Sequence, residues 1–533
     1  MLSSIQVSMR FLYAASRAWR EVLALGVLCF LGALSLNYPF TGDQALFTLG
    51  ALKMHHGALL YRDFWDLKQP GIYIFYLVGG RLFGFSEFGI HLFELLYFIC
   101  FAALLQLTLP AYIQNRWVTA LSPILVIGTY YATSTPWFLT QVEALIGPAI
   151  YLSLWLCYAA ASSRGRKRLG LLFCSGLAAA IVVLFKLIYV LVLAAALLAI
   201  VLSTRRRSKE SGAMTAWIPT CTFTLGLLLP LTLLWGLFAP AIGPARLYDT
   251  FVLIPSRIVA QLPQPSLLRI ASSARWFALN FGLLTVLAVA GSLADLRGRK
   301  NPMTYAMLVW IGAGVIAFLL QRQSWWPYQD LLFIVPIGIL ALRGIELIVD
   351  WGAAQDRTKT PALRQLAVPI VAVMLLLAVG AVPAFSKAHR LLGAANHGQG
   401  NPIQRYQFGL EPMYRQASAE TEFLLEPRNR DATLYVCGDP IYYIFARRNQ
   451  AIALNGWGLE LLLPEQWKEL RAQLAAKRPA YIFIAADYQT LMRYRSPETM
   501  ASIRQNYSQR HADANGAWFE NKVHRQGLEP RTN

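Results

Sequence analysis

Residues 42–71 read GDQALFTLGALKMHHGALLYRDFWDLKQPG, a polar stretch between two strongly apolar segments. It mixes aromatic side chains with charged and histidine side chains: Asp43, Lys53, His55, His56, Arg62, Asp63, Asp66 and Lys68. Ionisable groups at or inside a membrane are costly, so they indicate a functional site. Whether this stretch lies at a membrane depends on the segments on either side of it.

The composition indicates a polytopic α-helical membrane protein. Of the 533 residues, 56% are hydrophobic and 14% are charged, whereas soluble domains carry about 25% charged residues. The net charge of +20 does not indicate a nucleic-acid partner, because the basic residues form short clusters between apolar segments, as at 164–168 and 205–209. Such clusters mark cytoplasmic loops and orient a protein in the lipid bilayer.

About eleven transmembrane helices are predicted, since a span needs about 20 apolar residues. Their approximate ranges are 21–37, 87–112, 117–132, 138–161, the two halves of 169–203 with a break near Lys186, 217–240, 276–293, 303–320, 331–350 and 366–385. The first is interpreted as a retained helix, because 22–36 has no clear signal-peptide cleavage site. Residues 71–85 are too short for an upright span and are interpreted as partly embedded.

The basic clusters also predict the orientation. With the N-terminus in the cytoplasm, each strong cluster falls inside. The loops at 39–70, 133–137, 241–274 and 321–330 then fall outside, together with everything after Phe385. We therefore expect a multi-pass protein of the bacterial cytoplasmic (inner) membrane, with the polar stretch and the C-terminal region facing the periplasm.

Residues 386–533 are predicted to form a small extracytoplasmic α/β domain that follows a membrane domain over 1–385. Short apolar strands alternate there with a helix of regular spacing, which is typical of such domains. The predicted elements are a strand at 431–438, a helix at 464–477 and a strand at 479–485.

The sequence predicts no metal site. His55 and His56 are adjacent, so on a helix they point in different directions and lack the i, i+4 spacing of a ligand pair. A plain interfacial role is favoured for both, and Lys53 beside them is interpreted as a solvated charge. Five of the six cysteines lie in apolar segments, which leaves neither a disulfide framework nor a zinc spacing.

The predicted topology collects ionisable residues at the outer face: Asp43, Asp63, Asp66, Lys68, Glu143, Lys186 and Arg322. A carboxylate such as Asp43 can act as a general base when an acceptor hydroxyl lies within hydrogen-bond reach. A cation such as Lys68 or Lys186 can hold a phosphate leaving group.

Structural interpretations stand beside these chemical ones. Asp43 can be the cap of a helix beside the membrane. Asp63 and Asp66 are more simply partners of neighbouring cations that order the loop. Lys186 can extend to the outer interface, and Glu143 can hold two helices together.

Three features of the polar stretch form a pattern. Gly42-Asp43 follows the first helix, residues 51–63 read ALKMHHGALLYRD, and Lys68-Gln69-Pro70 comes next. The pattern resembles the first external loop of the GT-C glycosyltransferases, in the branch of protein O-mannosyltransferases, aminoarabinose-lipid A transferase and bacterial lipopolysaccharide galacturonosyltransferases. The chain departs from that loop's Lys-Pro-Pro signature at Gln69, which affects the expected loop geometry rather than Lys68 itself.

Softer matches to the same family lie elsewhere in the chain. Glu143 at the outer start of the fourth helix resembles an acidic position, and Lys186 resembles a lysine of the hairpin between the fifth and sixth helices. The resemblance implies donor-lipid or sugar contact for the aromatic residues before the tenth helix, although an ordinary aromatic belt is the alternative. Those residues are Trp325, Trp326 and Tyr328.

The resemblance implies a GT-C-like fold and an inverting glycosyltransferase with an outward-facing site. Sugar nucleotides stay in the cytoplasm, so such an enzyme needs a donor that crosses the membrane, such as a polyprenyl-phosphate sugar. In the implied mechanism Asp43 takes the proton of the acceptor hydroxyl, and Lys68 neutralises the departing phosphate. Lys186 and Arg322 are further phosphate candidates. The supporting acidic residues are Asp63, Asp66 and Glu143.

Several points stay open. The acceptor is a glycolipid, a glycan or a protein, and dependence on a divalent cation is undecided. A transporter or flippase of a lipid-linked glycan is the competing hypothesis, although transporters tend to show internal repeats, which this sequence lacks. A scaffold with a glycan-binding C-terminal domain would leave the charges of the first loop unexplained.

Overall fold

The computed structural model describes residues 19–205, 217–298, 301–322, 324–355, 381–396 and 400–524. The chain divides into two compact units. Unit 1 comprises Met1–Asn37, His91–Thr232 and Gln264–Gln399, and unit 2 comprises Tyr38–Ile90, Leu233–Pro263 and Gly400–Asn533. Unit 2 is thus assembled from three stretches that are far apart in the sequence. The predicted domain boundary at 385/386 stays a prediction.

Most of the described chain is helical. Up to residue 396 the α-helices are α1 (19–33), α2 (Gly42–His55), α3 (Pro70–Phe83), α4 (Glu87–Thr108), α5 (Arg116–Ala120), α6 (Thr129–Thr133), α7 (Val142–Ala161), α8 (Gly165–Phe185), α9 (Val190–Arg205), α10 (Trp217–Ile242), α11 (Pro244–Tyr248), α12 (Ile254–Gln261), α13 (Leu267–Arg297), α14 (Pro302–Gln321), α15 (Ile334–Gln355) and α16 (Val382–Asn396).

Eight helices of the described residues are long and apolar enough to cross a membrane. They are Glu87–Ala111, Val142–Ala161, Gly165–Phe185, Leu187–Thr204, Trp217–Ile242, Leu267–Arg297, Pro302–Gln321 and Gln329–Trp351. The predicted membrane architecture is therefore confirmed, but the count of eleven is not. The predicted first span is helical over 19–33, and the predicted last span, 366–385, lies outside the described residues except for 381–385.

The predicted third span, 117–132, is not one regular helix. It consists of α5, a π-helix over Pro123–Gly128 and α6. The interruption coincides with Pro123, which lacks an amide hydrogen and cannot continue the α-helical ladder. By contrast, the predicted break near Lys186 is confirmed, because α8 ends at Phe185 and Lys186 has an extended backbone.

The polar stretch was expected to be a loop, and this expectation is wrong for much of its length. Residues 42–55 form α2, whose start is fixed by a capping box in which the Thr41 amide donates to Gln44 Oε1 at 2.9 Å. Residues 44–51 are buried, so the charges lie at the two ends of the helix rather than along it.

The region 241–274 was also expected to be a loop, but it is largely helical. It contains α11, a π-helix over Asp249–Leu253 and α12, and α13 begins at Leu267 instead of 276. Of the prolines that suggested a loop, Pro244 begins α11, where a missing amide hydrogen costs nothing, and Pro255 is the second residue of α12, which directly follows the π-helix. Pro263 and Pro265 lie between α12 and α13.

Unit 1 packs helices through glycine contacts and a buried charged network. A Cβ atom at Gly344 on α15 would lie 2.1 Å from the Leu287 carbonyl oxygen on α13, so only glycine fits this crossing. Nearby, Arg343 Nε donates to Asp295 Oδ1 at 2.8 Å, and Arg343 also donates to Glu346. All three side chains are buried, and their pairing satisfies charges that a membrane protein cannot leave isolated.

Unit 2 contains a four-stranded sheet in the C-terminal region. The strand order is β1-β2-β4-β3, with β1 parallel to β2 and the other pairs antiparallel. The predicted strands and the helix between them are confirmed, whereas β3, β4 and the two helices before them were missed. The elements are α17 (Pro402–Leu410), α18 (Pro412–Glu420), β1 (Leu434–Cys437), α19 (Ile441–Ala446), α20 (Pro464–Lys477), β2 (Tyr481–Ala485), α21 (Ala486–Arg495), α22 (Pro497–Asn506), β3 (Tyr507–Ala512) and β4 (Gly516–Asn521).

The three stretches of unit 2 meet around residues 61–66. The Trp65 amide donates to the Ala453 carbonyl oxygen at 2.8 Å, and the Trp65 indole donates to Thr250 Oγ1 at 3.2 Å. The ring of Tyr61 lies edge-on to Phe238 and Phe251. Residues 61–66 are therefore held by the C-terminal region and by the segment that follows α10.

Candidate functional site

The start of α2 positions the predicted base, Asp43, in the first turn of the helix. The amide of Gly42 donates to Asp439 Oδ2 at 3.2 Å, so a residue of the C-terminal region satisfies one of the free amides at this helix end.

One carboxylate oxygen of Asp43 accepts hydrogen bonds from two donors. Lys68 Nζ lies 3.2 Å from Asp43 Oδ1, and Trp457 Nε1 donates to the same oxygen at 3.0 Å. The side chain of Asp43 is 23% exposed. Within the described part of the chain, no hydrogen bond or ion pair engages Oδ2. One carboxylate oxygen is thus fixed, and the other is available to a substrate proton.

Lys68 is held from several sides. Its carbonyl oxygen accepts the Tyr61 hydroxyl at 2.9 Å, which fixes the backbone, and its ammonium lies 5.2 Å from the centre of the Phe47 ring. The ammonium also lies 3.8 Å from Asp66 Oδ2 and is 32% exposed. A cation between two carboxylates that still contacts solvent can exchange one partner for an incoming anion.

Asp66 lies in the same cluster as a buried acceptor. The Tyr73 hydroxyl donates to Asp66 Oδ2 at 2.6 Å, and Asn455 Nδ2 approaches Asp66 Oδ1 at 3.4 Å. The carboxylate therefore ties α3 and the C-terminal region to the loop while it orients Lys68.

Asp63 orders the loop instead of joining this cluster. Its carboxylate accepts from Arg62 at 2.7 Å and from the Leu59 amide at 2.8 Å. The hydrogen bond from the Arg62 guanidinium lowers the pKa of Asp63. These contacts agree with the loop-ordering interpretation.

Lys53 is not the solvated charge that the sequence suggested. Its ammonium donates to the carbonyl oxygens of Asp63 at 3.0 Å and Gln450 at 3.2 Å. Burial lowers the pKa of Lys53 to about 8, although the nearby Asp63 charge acts in the opposite direction. His55 and His56 are exposed, and Arg81 Nε lies 3.3 Å from His55 Nδ1. Among the described residues no group of three or more potential ligands is placed to hold a metal ion.

Sequence reasoning missed three residues of this cluster, namely Asp439, Asn455 and Trp457. Asp439 follows β1, and its Oδ1 accepts the Ile441 amide at the start of α19 at 2.9 Å. Burial raises the pKa of Asp439 to about 6, although two backbone amides donate to it. The Asn455-Gly456-Trp457-Gly458 turn was a local signal of an unusual backbone, but nothing in it pointed to a contact with residue 43.

The remaining predicted residues belong to unit 1. Glu143 at the start of α7 is 2% exposed and accepts from Lys186 Nζ at 2.8 Å and from the Tyr189 hydroxyl at 2.9 Å. Lys186 lies at the break between α8 and α9 and is 28% exposed. The two residues that were considered separately are therefore an ion pair that joins α7 to this break.

The aromatic residues before α15 lie in a strained segment of unit 1. Arg322 and Trp325 both have positive φ, at 57° and 70°, which costs energy in residues with a side chain. The Trp325 ring packs edge-on against Phe318 at 5.6 Å, whereas Trp326 is exposed beneath the Arg269 guanidinium at 4.7 Å. Tyr328 precedes the 3₁₀ turn Gln329–Phe333.

Comparison with known proteins gives a clear result for the structure only. No protein-family model and no curated protein matches the sequence significantly. The crystal structure of ArnT from Cupriavidus metallidurans bound to undecaprenyl phosphate is similar over 95% of this chain and 98% of that chain, with 13% identity and a TM-score of 0.57. Its apo state gives 14% identity, the same coverage and a TM-score of 0.56.

An archaeal enzyme is similar as well. The apo oligosaccharyltransferase of Archaeoglobus fulgidus matches over 94% of this chain and 74% of that chain, with 12% identity and a TM-score of 0.51. At these identities the likeness concerns the fold. Together with the eight apolar helices, it identifies the chain as a multi-pass membrane protein.

Proposed function

Because the chain has the fold of the GT-C membrane glycosyltransferases, we propose that it transfers a sugar from a polyprenyl-phosphate donor to an acceptor. The observation that carries the proposal is the Asp43–Lys68 pair, in which a carboxylate with one available oxygen lies beside a partly exposed cation. General-base transfer to a phosphate-linked sugar needs these two groups side by side. The undecaprenyl phosphate bound to the similar ArnT supports a polyprenyl phosphate as the carrier.

In the proposed reaction, Asp43 Oδ2 accepts the proton of an acceptor hydroxyl as that oxygen attacks the anomeric carbon. The bond between the anomeric carbon and the phosphate oxygen breaks, and its electron pair leaves with polyprenyl phosphate. A single displacement of this kind inverts the anomeric configuration. The proton remains on Asp43 until solvent takes it, so atoms and charge balance.

Lys68 is the proposed cation for the leaving phosphate. In the structure it is paired with Asp43 and Asp66, and a phosphate would compete for the same ammonium. Lys186 and Arg322 are retained as further phosphate ligands. For Lys186 that role requires its ammonium, which is paired with Glu143 in the structure, to contact the phosphate as well.

We also propose that this site faces the periplasm from a bacterial cytoplasmic membrane. The proposal is supported by the distribution of basic clusters, from which the positive-inside rule predicts that the loop at 39–70 and everything after Phe385 lie on the opposite side. The acceptor classes are a glycolipid, a glycan and a protein. Trp325, Trp326 and Tyr328 are proposed to contact the donor lipid or sugar.

The test uses the full chain purified in lipid nanodiscs. It is incubated with undecaprenyl-phosphate hexoses, pentoses and uronic acids, each with a radiolabelled sugar, and with bacterial lipid and protein extracts as acceptors. We expect transfer of label with release of undecaprenyl phosphate. We expect Asp43→Asn to lower the rate about 10²- to 10⁴-fold, the usual contribution of a general base.

The matched control is Asp487→Asn, which removes an exposed carboxylate in the first turn of α21. It is expected to keep the wild-type rate. Transfer by Asp43→Asn at the wild-type rate would eliminate Asp43 as the base. Movement of an intact lipid-linked sugar across the bilayer without cleavage would support a transporter instead.

A further inference from the structure

The indole of Trp457 meets both residues at the start of α2. Its Nε1 donates to Asp43 Oδ1, and its six-membered ring lies where a side chain of residue 42 would be. A Cβ atom added to Gly42 would lie 2.4 Å from Trp457 Cζ2 and 3.0 Å from Cη2. The absence of a side chain at residue 42 is therefore what allows the indole to reach the carboxylate.

Trp457 is itself fixed by a neighbouring amide side chain. Asn455 Oδ1 accepts the Trp457 amide at 2.9 Å, while Asn455 Nδ2 donates to the Trp65 carbonyl oxygen at 2.9 Å. The Gly458 amide donates to the Tyr488 hydroxyl at 3.0 Å, which holds the other side of the turn. The turn that presents the indole is thus anchored both to the loop and to the sheet region.

We propose that Trp457 is a positioning residue for Asp43, so that residues 400–533 complete the catalytic environment. The inference rests on the proposed function, in which Asp43 is the base. Trp457 and Lys68 both bind Oδ1, so the carboxylate cannot rotate freely and presents Oδ2 in one direction. When an incoming phosphate draws Lys68 away, the indole is the contact that keeps this orientation.

Preorganisation of this kind has a measurable effect on rate. Misplacing a catalytic group by about 1 Å can cost about 10²-fold. An N–H that donates to a carboxylate also favours its ionised form. Loss of the indole donor is therefore expected to reduce turnover and to make the base more easily protonated.

The experiment compares Trp457→Phe with Trp467→Phe in the nanodisc assay. Phenylalanine keeps an aromatic ring and removes the indole donor. Trp467 is a buried tryptophan of the same unit whose Nε1 has no hydrogen-bond partner among the described residues, so it controls for general loss of packing. We expect kcat of Trp457→Phe to fall roughly 10- to 100-fold with the donor KM within about twofold. The acid side of its kcat/KM profile should move to higher pH.

A second variant guards against misfolding of the first. Gly42→Ala keeps the indole but pushes it from its place, so it should reproduce the loss of kcat and the displaced acid side. Unfolding temperatures of all variants identify any that fail to fold.

Unchanged kcat and an unchanged pH profile in Trp457→Phe, with Asp43→Asn inactive, would overturn this inference but not the proposed function. Equal losses in Trp457→Phe and Trp467→Phe would also overturn it. Failure of the wild type to transfer any sugar would instead reject the proposed function.

Discussion

At the scale of single residues, Asp439 has the clearest dependence on pH. Its folded-state pKa of about 6 lies above the ordinary value of 3.8, so the folded state holds this proton more tightly than the unfolded state. The ionised Asp439 carboxylate therefore destabilises the folded state at pH values above about 6. This destabilisation is relieved as the pH falls from about 6 toward 3.8.

We predict that lowering the pH from 7.5 to 5 shifts the difference in unfolding temperature between wild type and Asp439→Asn in favour of the wild type. Only the wild type can take up the proton, which is worth about 1 kcal/mol over this interval. Thermal unfolding at both pH values checks the prediction, with Asp487→Asn as the control. A constant difference, or a shift toward the variant, would contradict it.

Individual residues could be predicted from the sequence where their partners lie nearby in the chain, but not where the partners are distant. Asp43 and Lys68 belong to one short stretch, so a local pattern was enough to nominate both. Trp457 lies 414 residues from Asp43, and no local pattern in a single sequence indicates a contact over that separation. The solvated interpretation of Lys53 was wrong for the same reason, since one of its acceptors is the distant Gln450 carbonyl.

At the scale of helices, the break between α8 and α9 is held by the Lys186–Glu143 pair. We predict that Lys186→Met destabilises the chain by about 3–5 kcal/mol, because it leaves the buried Glu143 carboxylate without its cation. Adding Glu143→Gln should recover most of the loss, since the uncompensated charge is then removed as well. Unfolding in nanodiscs measures both variants.

Two outcomes would contradict this account of the break. Lys186→Met as stable as the wild type would mean that the pair contributes little. A double variant no more stable than Lys186→Met would mean that the loss came from packing rather than from charge. Activity of a stable double variant separately tests the proposed phosphate role of Lys186.

Helices were predicted correctly where a long apolar segment indicated them, and they were missed where prolines suggested a loop. The spans α7 to α10 were anticipated because about 20 apolar residues are needed to cross a bilayer. The helices α11 and α12 were missed because Pro244 and Pro255 were interpreted as loop residues. In the structure Pro244 occupies the first position of α11, where proline is compatible with a helix, and Pro255 is the second residue of α12, which directly follows the π-helix over Asp249–Leu253.

At the scale of the whole molecule, the orientation in the membrane is open to a direct test. The chain has six cysteines, and in a background without them Arg62→Cys and Arg166→Cys place one thiol in each of two exposed positions. We predict that a membrane-impermeant maleimide, added to cells with a permeabilised outer membrane, labels the first variant. The second should be labelled only after lysis. The reverse pattern would contradict the proposed orientation.

The overall architecture was predictable because composition, span length and basic clusters report on the bilayer directly. The assembly of unit 2 was not, because it joins Tyr38–Ile90, Leu233–Pro263 and Gly400–Asn533. Hydropathy assigned the first two stretches to the membrane domain and the third to a separate one. The pairing of Trp65 with Ala453 and Thr250 depends on tertiary contacts that hydropathy does not encode.

The separation of Asp43 and Trp457 also has a consequence in time. Ribosomes add about 5–20 residues per second, so Trp457, which is 414 positions after Asp43, is added roughly 20–80 s later. During that interval α2 has been made, but the Gly42 amide lacks Asp439 and the Asp43 carboxylate lacks its indole donor. The contacts around Asp43 are therefore completed only after residues 439 and 457 have been made, and a nascent chain released before residue 439 would lack both partners.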